Sequence, residues 1–413
     1  MRILLVTQYF WPESFPINDL ARLLGEHGLD VTVLTGKPNY PSGRLFPGYR
    51  ATGRMRESFG GVPVLRVPLI PRGQSSRLGL VLNYLSFIVS AGALGRGMLR
   101  GEPPFDVVFV YAPSPLLQAL AAVRLARLLE VPLVVWVQDL WPESLSATGY
   151  VKNALLLRLV TLAVKRIYRA CDRILVQSRA FVAPVAALTD QPNKVRYYPN
   201  LYQPHLNSSP SAAAVELAER LRLQFSVVFA GNLGTAQALD TVIEAARRLR
   251  PHRHVQIVLV GSGSLSPWLA RQRELYQLDN LVLVGRFEAS DMPTIFDAAS
   301  ALLVTLSADP SFALTVPSKV QAYLAAGRPI VASLDGEAAR IIDESGAGFC
   351  SIAGNAEALA EAILRMTNTS RQERETMGQR GRIFFDRNFA SDHLVRELET
   401  HLIEVVLARK KPK

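Results

Sequence analysis

Pro317-Ser318-Lys319 stands directly before Val320–Ala326, a run with no breaker and three alanines, which Gly327 stops and Pro329 keeps from resuming. A helix that opens on a proline turn, a hydroxyl and a lysine offers backbone N–H groups and a cation to one ligand, which is the chemistry of anion binding. Ser318 and Lys319 are therefore candidate anion donors; an ordinary loop–helix–strand unit with a surface lysine is the other reading. The segment Gly231-Asn232-Leu233-Gly234-Thr235-Ala236-Gln237 lies between an apolar run and the helical pattern Leu239, Val242, Ile243, Ala246. Its glycines let N–H groups close on a phosphate, and the following helix adds partial positive charge. A tight strand–helix turn is the alternative. Arg286, in Gly285-Arg286-Phe287 after another apolar run, is placed to meet a base or a phosphate, or else is a surface arginine.

These residues sit between short runs rich in Val, Ile and Leu. The first half contains Ile3–Val6, Val31–Leu34, Val64–Val67, Val107–Val110, Leu133–Val137 and Ile174–Val176. The second contains Val227–Ala230, Val255–Val260, Leu281–Val284, Leu302–Val304, Ile330–Ala332 and Phe349–Ile352. Helical patterns separate them, so the reading is α/β, with parallel sheets buried on both faces. Two series imply two doubly wound, Rossmann-like domains, residues 1–201 and 214–390, with a polar Pro/Ser-rich linker over 202–213. Residues 391–413 read as a helix crossing back between the domains, ending in a frayed basic tail. Ligands of such folds sit at the carboxyl ends of strands, so the cleft between facing domains is the expected site.

At 413 residues, two domains are the natural expectation. Two cysteines far apart give neither a disulfide framework nor a metal cluster and fit a reducing, cytoplasmic compartment. The start, MRILLVTQYF, reads as a first buried strand rather than a secretory signal. The net charge is +11, and residues 1–200 hold 23 Lys and Arg against 12 Asp and Glu, while the remainder balances at 23 each. The excess points the first half toward anionic membrane, nucleic acid or a phosphorylated acceptor, or is plain solvated charge. Basic residues are not interleaved with aromatics in any nucleic-acid module, which sets that class aside. Leu78–Gly95 runs 18 residues without a charge, between Arg72, Arg77 and Arg96, Arg100. Span, interfacial helix and core helix are the readings, and a buried or interfacial helix with basic flanks fits better than a span.

In order along the chain, MRILLVTQYFWPE, DVTVLTGKPNYPSG, VWVQDLWPESL, FAGNLGTAQALDTVIEA, VGRFEASDMPTIF and VPSKVQAYLAAGRPIVAS resemble the glycosyltransferases of family 4, with the two-domain GT-B fold. The likeness spans nearly the full chain. Within the family it is greatest to bacterial polysaccharide transferases of the fucosamine-transferase kind. The resemblance implies an enzyme that moves a sugar, such as the amino-deoxy sugar L-fucosamine, from a nucleotide-diphosphate donor, with retention. The acceptor would be a lipid-linked or other saccharide at the inner face of the plasma membrane, the donor would lie on the C-terminal domain, and no cofactor or metal is expected.

The resemblance also marks departures. The paired glutamates of many members fall here on Leu314 and Ala322, and the usual Arg and Lys of the first C-terminal loop fall on Asn232 and Gln237. The remaining donor set is Gly231, Asn232, Gly234, Gln237, Arg286, Phe287, Ser318 and Lys319, with Glu337 standing in for a lost glutamate. By analogy Asp139, and after it Glu143, would orient or deprotonate the acceptor hydroxyl, or Asp139 is a turn cap. Glu13, Lys37 and Tyr40 would border the acceptor. A non-catalytic nucleotide-sugar-binding subunit and a sugar-nucleotide epimerase of the same fold are the competing readings.

Overall fold

The computed structural model describes residues 1–73, 77–147, 153–204 and 209–410. The chain divides into two compact units, Met1–Leu201 with Ser391–Lys413, and Tyr202–Ala390. Part of the segment read as a linker, 205–208, and the last residues of the basic tail, 411–413, lie outside the described residues. A helix, Ala212–Arg222, begins inside that segment, with the Ser211 hydroxyl accepting the N–H of Ala214 at its start.

The first unit is built on β1 (Arg2–Val6), β2 (Asp30–Thr35), β3 (Met55–Phe59), β4 (Val62–Arg66), β5 (Val107–Ala112), β6 (Leu133–Val137), β7 (Arg173–Val176) and β8 (Val195–Tyr197). Their order is β3-β4-β2-β1-β5-β6-β7-β8, parallel except for the β3–β4 hairpin. The chain winds outward both ways from β1, which puts the first connection and the later ones on opposite faces. α1 (Pro16–Glu26) covers one face together with the helix Ser391–Lys410, whose Leu394, Leu398 and Leu402 are fully buried. Trp136 ties this helix down: its indole N–H donates to the Tyr198 carbonyl (3.0 Å), and the Tyr198 hydroxyl donates to the Leu394 carbonyl (2.9 Å). On the other side α2 (Arg77–Met98) packs on α3 (Ala119–Leu129), and α3 on α5 (Ala154–Ala170); the short α4 (Glu143–Ala147) precedes α5.

The second unit is a six-stranded, all-parallel sheet of β9 (Phe225–Ala230), β10 (Val255–Val260), β11 (Leu281–Gly285), β12 (Ala301–Thr305), β13 (Ile330–Ser333) and β14 (Gly348–Ser351), in the order β11-β10-β9-β12-β13-β14. Strands such as Leu302, Leu303, Val304 are buried on both faces, which is why they read as continuous apolar runs. Two strands differ from expectation. β3 is an edge strand whose residues alternate half-buried and exposed, so it carries no apolar run. β8 is three residues long.

α2 is not a core helix. Leu78–Met98 is long and apolar enough to cross a membrane, and only 28% of its most apolar stretch is buried in the protein.

Candidate functional site

In the second unit the loops leaving β9, β10 and β11 are laced together by backbone. Gly231 N–H donates to the Val260 carbonyl (2.9 Å), Leu233 N–H to Ser262 (3.0 Å), and Gly261 N–H to Gly285 (2.7 Å). Gly231 and Gly261 both have φ of +140°, a region side chains rarely enter. A Cβ on Gly261 would stand 1.9 Å from the Gly231 carbonyl oxygen, and one on Gly231 would stand 2.6 Å from Lys319 Cε. The Gly231 loop is thus an open cradle that exists only because neighbouring loops approach without side chains. From the other side, the Thr305 hydroxyl donates to the Gln237 carbonyl and Ser307 N–H to that of Ala236 (3.0 Å), pinning the loop to the end of β12.

Lys319 reaches into this cradle. It lies in the first turn of the helix Ser318–Ala326, whose N-cap is Pro317 and which no side chain caps. The helix Leu239–Arg248, which follows the cradle, begins at Ala238 in a left-handed conformation and is also uncapped by any side chain. Lys319 Nζ donates to Gln237 Oε1 and stands 4.1 Å from the Phe229 ring centre. Among the described residues it has no ion pair with a carboxylate. Burial pushes its ammonium down to about 7. A half-neutral lysine beside two helix starts is a site arranged for an anion that would restore its charge.

The other donor-side candidates fall at the same sheet edge with different roles. Ser318 is exposed at the start of its helix, and Arg286 is exposed directly after β11. Phe287 is half-buried and packs on the core beneath. Asn232 lies under Gly234, its amide nitrogen 2.7 Å from where a Gly234 Cβ would be. Glu337 is a correction. Rather than closing the strand Ile330–Ser333 with a free carboxylate, it opens the helix Glu337–Ser345, is only 7% exposed, and gives both oxygens to Arg340 at 2.8 and 2.9 Å. That fork fixes a helix start and is not an open acceptor for a sugar hydroxyl. Leu314 and Ala322 are both half-buried, Ala322 against the core, and neither has a polar side-chain atom.

In the first unit, Asp139 follows β6, and burial raises its pKa against the opposing pull of the neighbouring Ser144, Trp141, Ser114 and Leu140 N–H, while the Trp141 indole N–H donates to Ser114 Oγ (3.3 Å). Glu143 is exposed at the first position of α4. Glu13 is a second correction. It is 2% exposed and does not border an open site. Its carboxylate accepts the N–H groups of Phe10 (3.2 Å), Asn39 (2.8 Å) and Tyr40 (2.7 Å), clamping the loop after β1 to the loop after β2. Burial lifts its pKa to about 7 against those three donors. Arg66, fully buried, reinforces the clamp by donating to the carbonyls of Trp11 and Gly36. Lys37 is also buried, 3% exposed, and its ammonium is held low by burial and by Arg66. Tyr40 is the accessible member: it is 38% exposed, its ring meets those of Tyr9 and Phe15 at a tilt, and the Arg72 guanidinium lies over it. Glu13→Ala is expected to cost about 2–4 kcal/mol, because three buried N–H groups lose their acceptor; denaturant unfolding followed at Trp11 and Trp136 measures it, and a loss under 1 kcal/mol speaks against the clamp.

No three His, Cys, Asp or Glu side chains gather as metal ligands among the described residues. The loop Gly261-Ser262-Gly263 was not singled out in the sequence, though G-x-G directly after an apolar run was the available signal.

Residues 17–201 match the glycosyl transferase 4-like domain, and residues 224–369 match the glycosyl transferases group 1. The chain is 25% identical over 341 residues to the probable glycosyltransferase WbjE of Pseudomonas aeruginosa, covering 75% of this chain and 82% of that one. It is 26% identical over 338 residues to the putative colanic acid biosynthesis glycosyl transferase WcaI of Escherichia coli (strain K12), covering 79% and 82%. The crystal structure of Anabaena Alr3699/HepE in complex with UDP superposes with a TM-score of 0.69 at 16% identity, over 98% of this chain and 100% of that chain, and the shared fold is GT-B.

Proposed function

The chain belongs to the glycosyltransferases of family 4, and on that premise we propose that it transfers a sugar with retention from a nucleoside-diphosphate donor to a saccharide or lipid-linked acceptor in bacterial cell-surface polysaccharide synthesis. The observation that carries the donor reading is Lys319, a half-buried lysine with no carboxylate partner among the described residues, in a glycine cradle beside two uncapped helix starts. WbjE and WcaI, named for glycosyl transfer and colanic acid synthesis, and HepE, crystallised with UDP, support the same reading.

The chemistry breaks the bond from the sugar C1 to the diphosphate oxygen and forms one from C1 to the acceptor oxygen. The acceptor proton leaves, and the diphosphate takes the electron pair. Lys319, the two helix dipoles and those N–H groups of the Gly231 loop not already given to neighbouring carbonyls stabilise that leaving charge, and exposed Ser318 and Arg286 are within the same edge. Gln237 holds Lys319 in place where relatives carry a second cation. Asp139 is the acceptor-side carboxyl of this reading: burial raises its pKa, which suits proton acceptance. No metal is required, since the lysine and dipoles meet the diphosphate charge.

The test is transfer or hydrolysis from a panel of nucleotide sugars, amino-deoxy sugars included, with and without EDTA, reading the anomeric configuration of the product by NMR. Turnover of one donor with retention and no EDTA effect is expected. Donor binding without any turnover would instead make the chain a binding subunit, and release of an epimerised sugar an epimerase.

A further inference from the structure

Unit one carries an apolar surface that the transfer chemistry does not use. α2 is apolar all round, yet protein covers one side only. Asn83, Phe87 and Ala91 face inward and are fully buried, whereas Leu78, Val81, Leu85 and Val89 are 50–68% exposed. At 3.6 residues per turn those exposed positions fall within an arc of roughly 80°. α5 repeats the pattern. Leu155, Leu159 and Leu162 are 68%, 55% and 57% exposed, opposite the buried Val164, Ile167 and Tyr168. Both helices pack on α3, so two leucine stripes flank one helix. An apolar surface of this kind on a folded domain is covered by a partner.

Charge identifies the partner. α2, α3 and α5 contain no Asp or Glu. Arg96, Arg124, Arg127, Arg158, Lys165 and Arg166 are all exposed on them. A second copy of the chain would set one cationic rim against another. A lipid bilayer with anionic headgroups satisfies both the apolar stripes and the rim. Position supports this too. α2 leads back to the amino end of β5 and α5 to that of β7, so their amino-terminal halves, which hold most of the exposed apolar residues, lie toward the carboxyl edge of the sheet. Asp139 and Tyr40 leave the sheet at the same edge. α2 is also joined to that edge. Asn83 Nδ2 donates to the Ile70 carbonyl (2.7 Å) and to Asn39 Oδ1 (3.3 Å), and Gln8 Nε2 donates to Asn83 Oδ1 (2.7 Å).

We infer that unit one seats on an anionic bilayer through the amino-terminal halves of α2 and α5, which brings the acceptor-side loops to headgroup level, where a lipid-borne saccharide is met. The lipid-borne acceptor rests on the proposed transferase function; the seating does not.

Sedimentation with vesicles of phosphatidylglycerol and phosphatidylcholine in equal parts, against phosphatidylcholine alone, tests it. Full-length protein is expected to partition onto the mixed vesicles and to release with salt. Leu85→Glu with Leu159→Glu should lower that partition about ten-fold or more, with an unchanged circular dichroism spectrum, unchanged sedimentation coefficient and unchanged transfer to a water-soluble acceptor. Arg158→Glu with Lys165→Glu, surface changes that leave the packing intact, should remove the salt-sensitive part. Equal binding to both vesicle types, or full binding by both variants, overturns the proposal, as does a leucine variant that turns a dimer into a monomer. Vesicle binding without transfer counts against the transferase reading alone; transfer to a soluble acceptor without vesicle binding counts against the seating alone.

Discussion

Lys319→Met is expected to abolish donor turnover, by about 100-fold or more, while making the protein more stable. The two effects share one cause. Burial, with no carboxylate partner among the described residues, holds the Lys319 ammonium at about 7 in the folded protein against an ordinary 10.5. The unfolded chain therefore binds a proton that the folded chain resists. The resulting stability deficit is fully present below pH 7 and is relieved as pH rises from about 7 to 10.5. Methionine fills the same volume over Phe229 with no charge to desolvate. The gain should be about 1–3 kcal/mol at pH 6.5 and should shrink toward pH 10. Urea unfolding at both pH values measures it. A destabilised variant, or a gain that does not depend on pH, contradicts this account of the lysine.

Gly261→Ala is expected to disable the donor cradle without touching a charged residue. The new methyl would overlap the Gly231 carbonyl oxygen at 1.9 Å, on a backbone with φ of +140°. Either the Gly231 loop moves or the fold pays more than about 3 kcal/mol in strain and overlap. If the loop moves, the glycine cradle around Lys319 is deformed, and nucleoside diphosphate affinity should fall on the order of 100-fold. Gly285→Ala is the control. Its φ is also positive, at +78°, but nothing lies within 4 Å of an added Cβ. It should cost only about 1 kcal/mol and leave diphosphate binding within a few-fold. Equal effects from the two substitutions would show that close backbone approach at Gly261 is not what shapes the cradle.

The residues of these two predictions were legible to different degrees. Lys319 stood out because a proline turn, a hydroxyl and an unbroken helical run adjoin it in sequence. What surrounds it did not. Gln237 lies 82 positions away and read as a donor-set member standing where a cation is usual, whereas in the fold its amide oxygen holds Lys319. Gly261 carries no charge, and its contact with Gly231 depends on the pairing of β9 with β10. The buried strands were plain because Val, Ile and Leu fill both faces; β3 was not, because an edge strand covered on one side alternates polar and apolar residues. Glu13 and Glu337 were misread for the same reason. An acidic residue in a loop after a strand looks available, and only the fold shows whether backbone N–H groups or an arginine have already taken it. For Glu337 a local signal existed, since Arg340 follows three residues later on one helix face. For Glu13 none did, because two of its donors come from the loop after β2. The leucines of α5 were hidden by the helix's own basic residues, which interrupt any long apolar run.

The central claim is that the donor's diphosphate restores the charge of Lys319. Calorimetric titration of the wild-type protein with uridine, guanosine or thymidine diphosphate, in two buffers of different ionisation enthalpy, counts the protons taken up. At pH 8 the free lysine is mostly neutral, so the diphosphate that binds should draw in about one proton, with affinity weakening by up to about ten-fold per pH unit above 7. Binding at pH 8 without proton uptake, or no binding of any of the three, would contradict it.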